Sequence, residues 1–358
     1  MVVNDEIYDK LTAEKIHHLL SLSPMDTKGF FAKARQTRDT HIGNQVYLRG
    51  LIELSNRCAK NCYYCGIRCG NTNVVRYDLP DEEVLKAAQF ALQNRYGSIV
   101  IQSGELNHTA FTNRITSLLQ KINTLTRNQL HITLSCGEQT EQVYRQWFAH
   151  GAQRYLLRIE TSNEQLYYKI HPHNRKHSFT NRLQSIETLK SIGFQTGTGI
   201  MIGLPHQTTT HLANDLLFFK NTGIHMVGMG PYIAHPDTPL AANTHQMLTL
   251  NERFELCLKM IACLRLLMPD INIAATTALQ TIDPMGREKG IAAGANVIMP
   301  NITPAKYKEN YTLYNGKPCL DEEPDQCTPC IAMRVKLAGS QVAWNEWGDS
   351  KQFARENL

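Results

Sequence analysis

Three cysteines in one short segment constrain this chain more than any other feature of its sequence. Cys58, Cys62 and Cys65 are separated by three and then two residues, and Tyr64 precedes the last of them. Cubane iron–sulfur clusters normally take four thiolates, so a set of three leaves one iron free to bind a small molecule through nitrogen and oxygen. Cys69 lies close behind, and a closed four-cysteine site for zinc or an electron-transfer cluster is therefore the alternative.

The composition is that of an ordinary globular protein. The 358 residues are 42% hydrophobic and 19% charged, and the net charge of +5 comes from dispersed basic residues, which argues against a nucleic-acid partner. No signal-peptide pattern and no apolar run of about 18 residues is present, so we expect a cytoplasmic protein without a membrane partner. Ten cysteines in such a chain favour cluster or metal chemistry over disulfides.

Strand-like and helix-like patterns alternate along most of the chain, which indicates an α/β protein. The alternation predicts a complete (βα)8 TIM-type barrel, because parallel strands need helical crossovers. We expect a helical extension over residues 1–44, with a first helix from about Ile7, then the barrel over 45–302 and a C-terminal segment with an auxiliary cluster site over 303–358. The eight predicted strands cover residues 47–55, 98–102, 131–135, 154–158, 198–202, 226–229, 271–274 and 296–299.

Polar residues follow the second and third predicted strands, at the end where such barrels carry their chemistry. Glu105 can accept from an ammonium group, and the glycine before it permits close approach of a ligand. Cofactor contacts are accordingly predicted for Gln102, Ser103, Gly104, Glu105, Ser135 and Glu138.

Charged residues cluster at the fourth predicted strand. Arg154, Arg158 and Glu160 alternate in period two, so they are expected to share one face. If that face is the barrel interior, the charges need a polar cavity, in which Glu160 accepts from ribose hydroxyls and the arginines bind anionic groups. The alternative is a set of outward ion pairs. Arg182, near the start of a later helix, is a further cation that could reach a carboxylate.

Three more groups of residues carry predictions. The glycine-studded segment 197–205 is consistent with a planar adenine packed against the backbone, or with glycines that relieve crowding. Thr276 and Thr277 suggest small-anion or substrate contacts, or only β-propensity. The last group could hold a second cluster or a zinc ion and consists of Cys319, Cys327 and Cys330.

The three-cysteine motif is similar to the radical-SAM signature, in which the open iron binds the amino and carboxylate groups of S-adenosylmethionine (SAM). From Tyr47 to Cys330 the chain resembles the HydE maturases of FeFe hydrogenase, a family related to biotin synthase and methylornithine synthase. The resemblance rests on Ile-Glu-Leu-Ser-Asn at 52–56, Gln-Ser-Gly-Glu at 102–105, Arg-Tyr-Leu-Leu-Arg-Ile-Glu-Thr at 154–161, His-Pro-Asp-Thr-Pro-Leu at 235–240 and Gly-Ala-Asn-Val-Ile-Met-Pro-Asn at 294–301.

The resemblance implies a role for each of these positions. Cys58, Cys62 and Cys65 are expected to hold a 4Fe-4S cluster, and Cys319, Cys327 and Cys330 an auxiliary 2Fe-2S or 4Fe-4S cluster. SAM contacts are expected from Ser135, Glu160 and Arg182, with Tyr64 beside the cofactor. The deep substrate cavity is expected to be lined by Arg49, Arg154, Arg158, Thr276, Thr277 and Met299.

The resemblance also implies an activity. One electron cleaves SAM to a 5'-deoxyadenosyl radical, which acts on a cysteine-ligated Fe(CO)2CN species from HydG during anaerobic assembly of the H-cluster di-iron subcluster. HydF and an electron donor such as ferredoxin are implied as further partners. The chain departs from the family pattern at Cys69, His171 and His206.

Two other functions remain as alternatives. One is a radical-SAM amino-acid mutase of the methylornithine synthase type. The other is a non-catalytic iron–sulfur carrier with a closed four-cysteine site. This alternative predicts a cluster that does not respond to SAM and that requires Cys69.

Overall fold

A closed barrel of parallel strands forms the centre of the computed structural model, which describes residues 10–242 and 247–357. The first strand pairs with the second on one side and with the ninth on the other, so the sheet closes on itself. The strands are β1 (Gln45–Ser55), β2 (Ser98–Ser103), β3 (His131–Ser135), β4 (Ala152–Leu156), β5 (Gln195–Thr198), β6 (Met201–Ile202), β7 (Met226–Pro231), β8 (Asn272–Ala275), β9 (Val297–Ile298) and β10 (Gln341–Val342).

Helices follow most strands and cover the outside of the barrel. Their caps agree with the sequence: Thr249, for example, opens the long α9 in a capping box with Glu252. The helices are α1 (Ala13–Leu20), α2 (Thr27–His41), α3 (Asp81–Gln93), α4 (Thr109–Thr126), α5 (Glu141–Ala149), α6 (Glu164–Ile170), α7 (Phe179–Ile192), α8 (Thr209–Asn221), α9 (Leu250–Leu267), α10 (Thr277–Ile282), α11 (Gly286–Ala292), α12 (Ala305–Lys308), α13 (Pro324–Leu337) and α14 (Lys351–Glu356).

The prediction of a complete (βα)8 barrel is confirmed, with two local corrections. The fifth predicted strand is divided into β5 and β6, because the chain bends at Gly199 and Ile200, where Glu160 forms an isolated bridge. The fourth strand ends at Leu156, so the period-two alternation does not extend to Glu160, whose φ of +66° is left-handed and not extended.

The two N-terminal helices pack on the barrel wall. α1 contacts α8 and α9, and α2 contacts α9. Arg38 of α2 is fully buried and donates to the carbonyls of Ile291 and Ala295. The predicted start of the first helix near Ile7 lies outside the described residues. Within the described ranges, no helix is both long enough and apolar enough to span a membrane.

The end of the chain returns to the base of the barrel, the end opposite the loop that carries the three cysteines. β10 adds to β1 in parallel, and residues 344–350, which we name the C-terminal strap, then cross the N-terminal ends of the strands. The Trp347 ring stacks on His131 at the start of β3, with centroids 3.8 Å apart. A side chain at Gly97, just before β2, would collide with the Glu346 carbonyl. The strap therefore covers the base, which the sequence patterns did not indicate.

Candidate active site at the barrel mouth

The three-cysteine loop begins directly after β1, at the mouth of the barrel. Cys58, Cys62 and Cys65 are partly exposed. The Cys58 sulfur accepts from the backbone N–H groups of Lys60 at 3.4 Å and Glu105 at 3.3 Å. Such N–H donors stabilise charge on cluster-ligating sulfur, so the loop fits an iron–sulfur cluster held by thiolates.

Burial also affects the protonation of the loop thiols. Burial, followed by repulsion from Cys58, raises the pKa of Cys62 to about 12. Burial also raises the pKa of Cys65. Thiols in this environment are stable as thiolates only beside a metal, which supplies the compensating positive charge.

The loop after β2 is locked against the cysteine loop through Gly104 and Glu105. The Ala59 N–H donates to the Glu105 carbonyl at 2.8 Å. A Cβ atom at Gly104 would lie 2.3 Å from the Arg57 carbonyl oxygen, and one at Gly137 would lie 2.1 Å from the Glu105 side chain. Glycine at both positions is thus required by close packing, and it places the Glu105 carboxylate beside the cysteines.

Four charged side chains form a buried network at the mouth. The Lys60 ammonium lies 3.0 Å from both the Glu105 and the Glu138 carboxylates. Arg182 contacts the same two carboxylates. Although burial opposes it, the charges of Arg182 and Lys60 lower the pKa of Glu138. Two cations and two anions therefore balance in a site with little solvent access.

Lys60 is the member of this network that the sequence patterns missed. Its position between Cys58 and Cys62 could have indicated a role at the site, but nothing else in the sequence distinguishes it from an ordinary exposed loop lysine. In the structure only 6% of its surface is exposed, and its ammonium also donates to the Lys176 carbonyl.

Arg158 and Glu160 form an ion pair that projects into the barrel mouth. Two Arg158 nitrogens bind the Glu160 oxygens at 2.7 and 2.8 Å. Arg158 also donates to the carbonyls of Gly228 and Ile200 across the barrel, and the Arg182 guanidinium donates to the Arg158 carbonyl at 3.1 Å. The interior placement that was predicted for these charges is found, although it depends on the turn after β4 and not on strand alternation.

Below this pair lies a small internal space of about 30 Å³. Its wall is mainly apolar with a few polar groups, as in small-molecule sites. Arg49 and Met299 of the predicted substrate residues are in its lining, which comprises Arg49, Val100, Thr133, Leu156, Met226, Val227, Gly228, Asn272, Ala274, Val297 and Met299.

Arg49 and Arg154 lie at the base of the barrel and hold the C-terminal strap. Arg49 donates to the Gly348 carbonyl at 3.0 Å, and Arg154 binds the Asp349 carboxylate and the Trp347 carbonyl. Burial and then repulsion from Arg154 lower the pKa of Arg49. Three N–H positions have no hydrogen-bond partner among the described residues, namely Nε of Arg49 and Nε and Nη1 of Arg154.

The other predicted residues lie at the ends of their strands. The Thr276 hydroxyl donates to the Met229 carbonyl, and Arg287 donates to the Thr277 hydroxyl at 3.0 Å. The Ser103 hydroxyl donates to the Gly104 carbonyl. Gln102 and Ser135 are paired neighbours on β2 and β3. The barrel thus places all of them at its mouth, apart from Arg49 and Arg154.

His171, one of the departures from the family pattern, fixes Tyr64. Its Nδ1 lies 2.9 Å from the Tyr167 carbonyl, which can only accept, so Nδ1 carries the proton. Burial lowers the pKa of His171 and keeps the ring neutral. Nε2 is then an acceptor, and the Tyr64 hydroxyl donates to it at 3.2 Å.

The glycine-rich segment relieves crowding inside the protein. A Cβ atom at Gly199 would lie 2.0 Å from the Gly228 carbonyl oxygen, and one at Gly197 would approach Met226 within 3.0 Å. Gly203 packs on the Arg253 side chain. Protein atoms occupy these faces, which favours crowding relief over a planar ligand at these glycines.

The two described C-terminal cysteine side chains differ in exposure. Cys319 is partly buried and Cys330 of α13 is exposed. Burial, with smaller contributions that include the charge of Cys330, raises the pKa of Cys319. The Cys327 side chain lies outside the described part of the chain.

The chain is a parallel (βα)8 barrel with a three-cysteine loop after its first strand and a charged, glycine-lined mouth. These features define it as a radical-SAM enzyme, with a 4Fe-4S cluster and SAM as its cofactors. Residues 52–219 match the model of the Radical SAM superfamily. The HydE subunit of the FeFe hydrogenase maturase from Thermotoga maritima is 42% identical over 356 residues, which cover 97% of each chain. The chain belongs to the HydE family.

More distant relatives agree with the fold. The 3-methylornithine synthase of Methanosarcina acetivorans is 27% identical and covers 93% of this chain and 91% of its own length. The solved structure of methylornithine synthase has a TM-score of 0.81 at 23% identity, covering 95% of this chain and 97% of its own. A structure of HydG has a TM-score of 0.78 at 18% identity, covering 98% and 79%.

Proposed function

We propose that this chain acts in the cytoplasm as a maturase in assembly of the FeFe-hydrogenase H-cluster. The observation that carries the proposal is the 42% identity to a HydE subunit over nearly the whole of both chains. The substrate in this proposal is a cysteine-ligated Fe(CO)2CN species from HydG. HydF and a ferredoxin-type electron donor are the proposed further partners.

We propose that the mouth residues bind SAM in two parts. The Glu105 carboxylate, beside the Cys58 sulfur, suits the methionine ammonium, while Arg182 suits the carboxylate, with Tyr64, Gln102, Ser103, Gly104, Ser135 and Glu138 around them. Glu160 is the proposed acceptor for the ribose hydroxyls. When bound, the cluster supplies the electron that cleaves SAM to the 5'-deoxyadenosyl radical.

The cavity below supports an anionic or strongly accepting substrate. Two residues of its lining, Arg49 and Thr133, each have a buried donor, Nε–H and the hydroxyl respectively, with no hydrogen-bond partner in the described part of the chain. A buried donor without an acceptor costs about 1 to 3 kcal/mol, so a ligand with cyanide, carbonyl or carboxylate groups gains from reaching it. Arg158, Thr276, Thr277 and Met299 are the proposed substrate contacts nearer the mouth.

The barrel also excludes water from the substrate cavity. The C-terminal strap covers the base, through contacts of Gly348 with Arg49 and of Asp349 with Arg154. In this proposal the substrate enters at the mouth, which bound SAM then covers. A reactive primary radical requires this protection.

The test is anaerobic maturation of apo-hydrogenase with HydG and HydF, with this protein as the only HydE-type component. We expect hydrogenase activity and 5'-deoxyadenosine release that both depend on the protein. Arg158→Ala is expected to lower maturation at least tenfold. Arg145→Ala, which removes an exposed arginine on α5, is the matched control and should match wild type. Maturation that is unchanged in Arg158→Ala would contradict the assignment of Arg158.

The role of Glu105 can be tested through the glycine that packs on it. Gly137→Ala places a Cβ atom 2.1 Å from the Glu105 side chain at a φ of +76°, so we expect a SAM dissociation constant at least tenfold higher. Gly43→Ala carries the same left-handed strain, at a φ of +99°, with nothing within 4 Å. The left-handed backbone should cost both variants about 1 to 2 kcal/mol of stability. The collision with Glu105 adds a further loss in Gly137→Ala, and SAM binding should change in that variant alone. Equal SAM affinity in the two variants would remove Glu105 from the SAM site.

The 27% identity to a 3-methylornithine synthase over most of the chain supports a second candidate function, an amino-acid mutase. Incubation of the reconstituted enzyme with SAM and L-lysine distinguishes the two. Methylornithine formation would favour the mutase, and its absence together with successful maturation favours the maturase.

We also propose a second iron–sulfur cluster at Cys319, Cys327 and Cys330. The support is the grouping of the three cysteines within twelve residues of the sequence. The double variant Cys319→Ala/Cys330→Ala should lose two to four irons per chain and keep the SAM-responsive signal. Unchanged iron content would exclude this cluster.

A further inference from the structure

A buried carboxylate on α8 lies directly behind the turn that carries Glu160. Asp215 has no exposed surface. Its Oδ1 accepts from both the backbone N–H and the hydroxyl of Ser162, each at 2.6 Å. Its Oδ2 has no hydrogen-bond partner in the described structure. The residue takes no part in the contacts described above, so its presence in the barrel wall needs another explanation.

The turn that Asp215 contacts is conformationally strained. Glu160 has a φ of +66°, which costs a residue with a side chain about 1 to 2 kcal/mol. Such a conformation persists only where the surroundings determine it. On the barrel side, Glu160 donates to the Gly199 carbonyl at 2.9 Å and accepts from the Met201 N–H at 3.3 Å. On the outer side, the chain continues through the fully buried Thr161 to Ser162.

Asp215 provides the turn with an acceptor, and no lysine, arginine or histidine among the described residues is paired with its carboxylate. Burial raises the pKa of Asp215 to about 7, and the hydrogen bonds from Ser162 oppose that shift. Without an acceptor at this position, the N–H and the hydroxyl of Ser162 would both lose their partner inside the protein. Ser162 is only partly buried, but losing both of these hydrogen bonds would still favour a different turn, and Glu160 would move with it.

We propose that Asp215 is a positioning residue that, through Ser162, holds the Glu160 turn in its left-handed conformation and so sets the affinity for the adenosyl ribose. The inference rests on the proposed role of Glu160 in ribose binding. It extends the SAM site to a helix on the outside of the barrel, and to a residue that never touches SAM.

The test compares two ligands on the cluster-loaded protein under anaerobic conditions. S-adenosylhomocysteine carries the ribose, whereas methionine has only the amino and carboxylate groups. Asp215→Leu, which keeps the side-chain size and removes the acceptor, should weaken S-adenosylhomocysteine binding at least tenfold and leave methionine binding within twofold. Asp215→Asn keeps an acceptor oxygen for Ser162 and should stay within threefold of wild type for both ligands.

Control variants separate this inference from general damage. Asp270→Leu removes a buried carboxylate at the other end of the barrel, where its partners His41 and Arg355 are largely exposed, and should leave both affinities unchanged. Should Asp215→Leu not fold, Ser162→Ala retains the backbone bond and is expected to weaken S-adenosylhomocysteine binding about threefold. Equal weakening of both ligands, or loss in Asp215→Asn equal to that in Asp215→Leu, would overturn the inference.

Glu160→Ala distinguishes failure of the inference from failure of the proposed SAM site. If Glu160→Ala leaves S-adenosylhomocysteine binding unchanged, the proposed role of Glu160 is wrong. If Glu160→Ala weakens that binding and Asp215→Leu does not, the SAM site stands and Asp215 does not position Glu160.

Discussion

Replacing Cys62 with alanine is expected to bring 5'-deoxyadenosine formation below detection and to abolish the SAM-dependent change in the 4Fe-4S spectrum. Two thiolates cannot hold a cubane cluster with one open iron, since three of its irons need a protein ligand. The measurement is electron paramagnetic resonance of the dithionite-reduced protein with and without SAM, followed by a deoxyadenosine assay.

Cys69→Ala is the matched control for Cys62→Ala. The Cys69 thiol is exposed, while its backbone N–H donates to the Lys60 carbonyl at 2.9 Å. The open-iron interpretation predicts that Cys69→Ala keeps the cluster, the SAM response and deoxyadenosine formation. If Cys69→Ala removes the cluster, the site is closed by four cysteines and the chain is a carrier.

The second large effect is expected at the base of the barrel, where Asp349→Ala should lower the free energy of unfolding by about 3 kcal/mol. Asp349 balances the fully buried Arg154 and lies near Arg49. Removing one partner of a buried ion pair costs about 3 to 5 kcal/mol. We take the lower end because 33% of the Asp349 side chain is exposed.

The pH dependence of this effect has a defined sign. Although burial opposes it, the hydrogen bond from His131 and the charge of Arg154 hold the pKa of Asp349 well below its ordinary value. A lowered folded-state pKa gives stability that is fully present above the unfolded pKa of about 3.9 and is lost as the pH falls through the folded value. The difference between wild type and Asp349→Ala should therefore be constant from pH 5 to 8 and shrink below about pH 4.

Anaerobic urea denaturation at several pH values measures this difference. Glu346→Ala changes an exposed carboxylate in the same strap and should have an effect of less than about 0.5 kcal/mol. Arg154→Met added to Asp349→Ala should recover part of the loss, because it removes the unpaired buried charge. Equal stability of Asp349→Ala and wild type would show that Asp349 does not anchor the strap.

Most of the fold could be predicted from local sequence patterns. The barrel strands are short apolar runs such as β2, and the helices between them carry regular apolar spacing and caps. These signals lie within about ten residues, so they are readable without knowing what each segment packs against. The errors in the predicted strands occur where local patterns no longer determine the backbone. The fourth strand ends at Leu156, because the left-handed turn at Glu160 depends on partners from β6 and α8.

The placement of Arg154 and Arg158 shows a different limit. Period two places Arg154 on the inner face of β4, and the turn after β4 brings Arg158 inward as well, but the pattern does not say which residues each arginine contacts. Arg158 is held by Glu160 and by carbonyls across the barrel, whereas Arg154 is held by Asp349, 195 residues further along the chain. Sequence spacing carries no information about that second contact.

The sequence by itself determined the class of chemistry and the order of strands and helices in the barrel. Thiol spacing in one loop and the alternation of strand and helix patterns are both local properties. Only the tertiary structure decided how charge is balanced and how the site is supported. The Lys60, Glu105, Glu138 and Arg182 network, the strap at Asp349 and the Asp215 contact behind Glu160 all join residues from different βα units. They meet only because the barrel closes, and burial then makes each unpaired charge or polar group costly enough to require its partner.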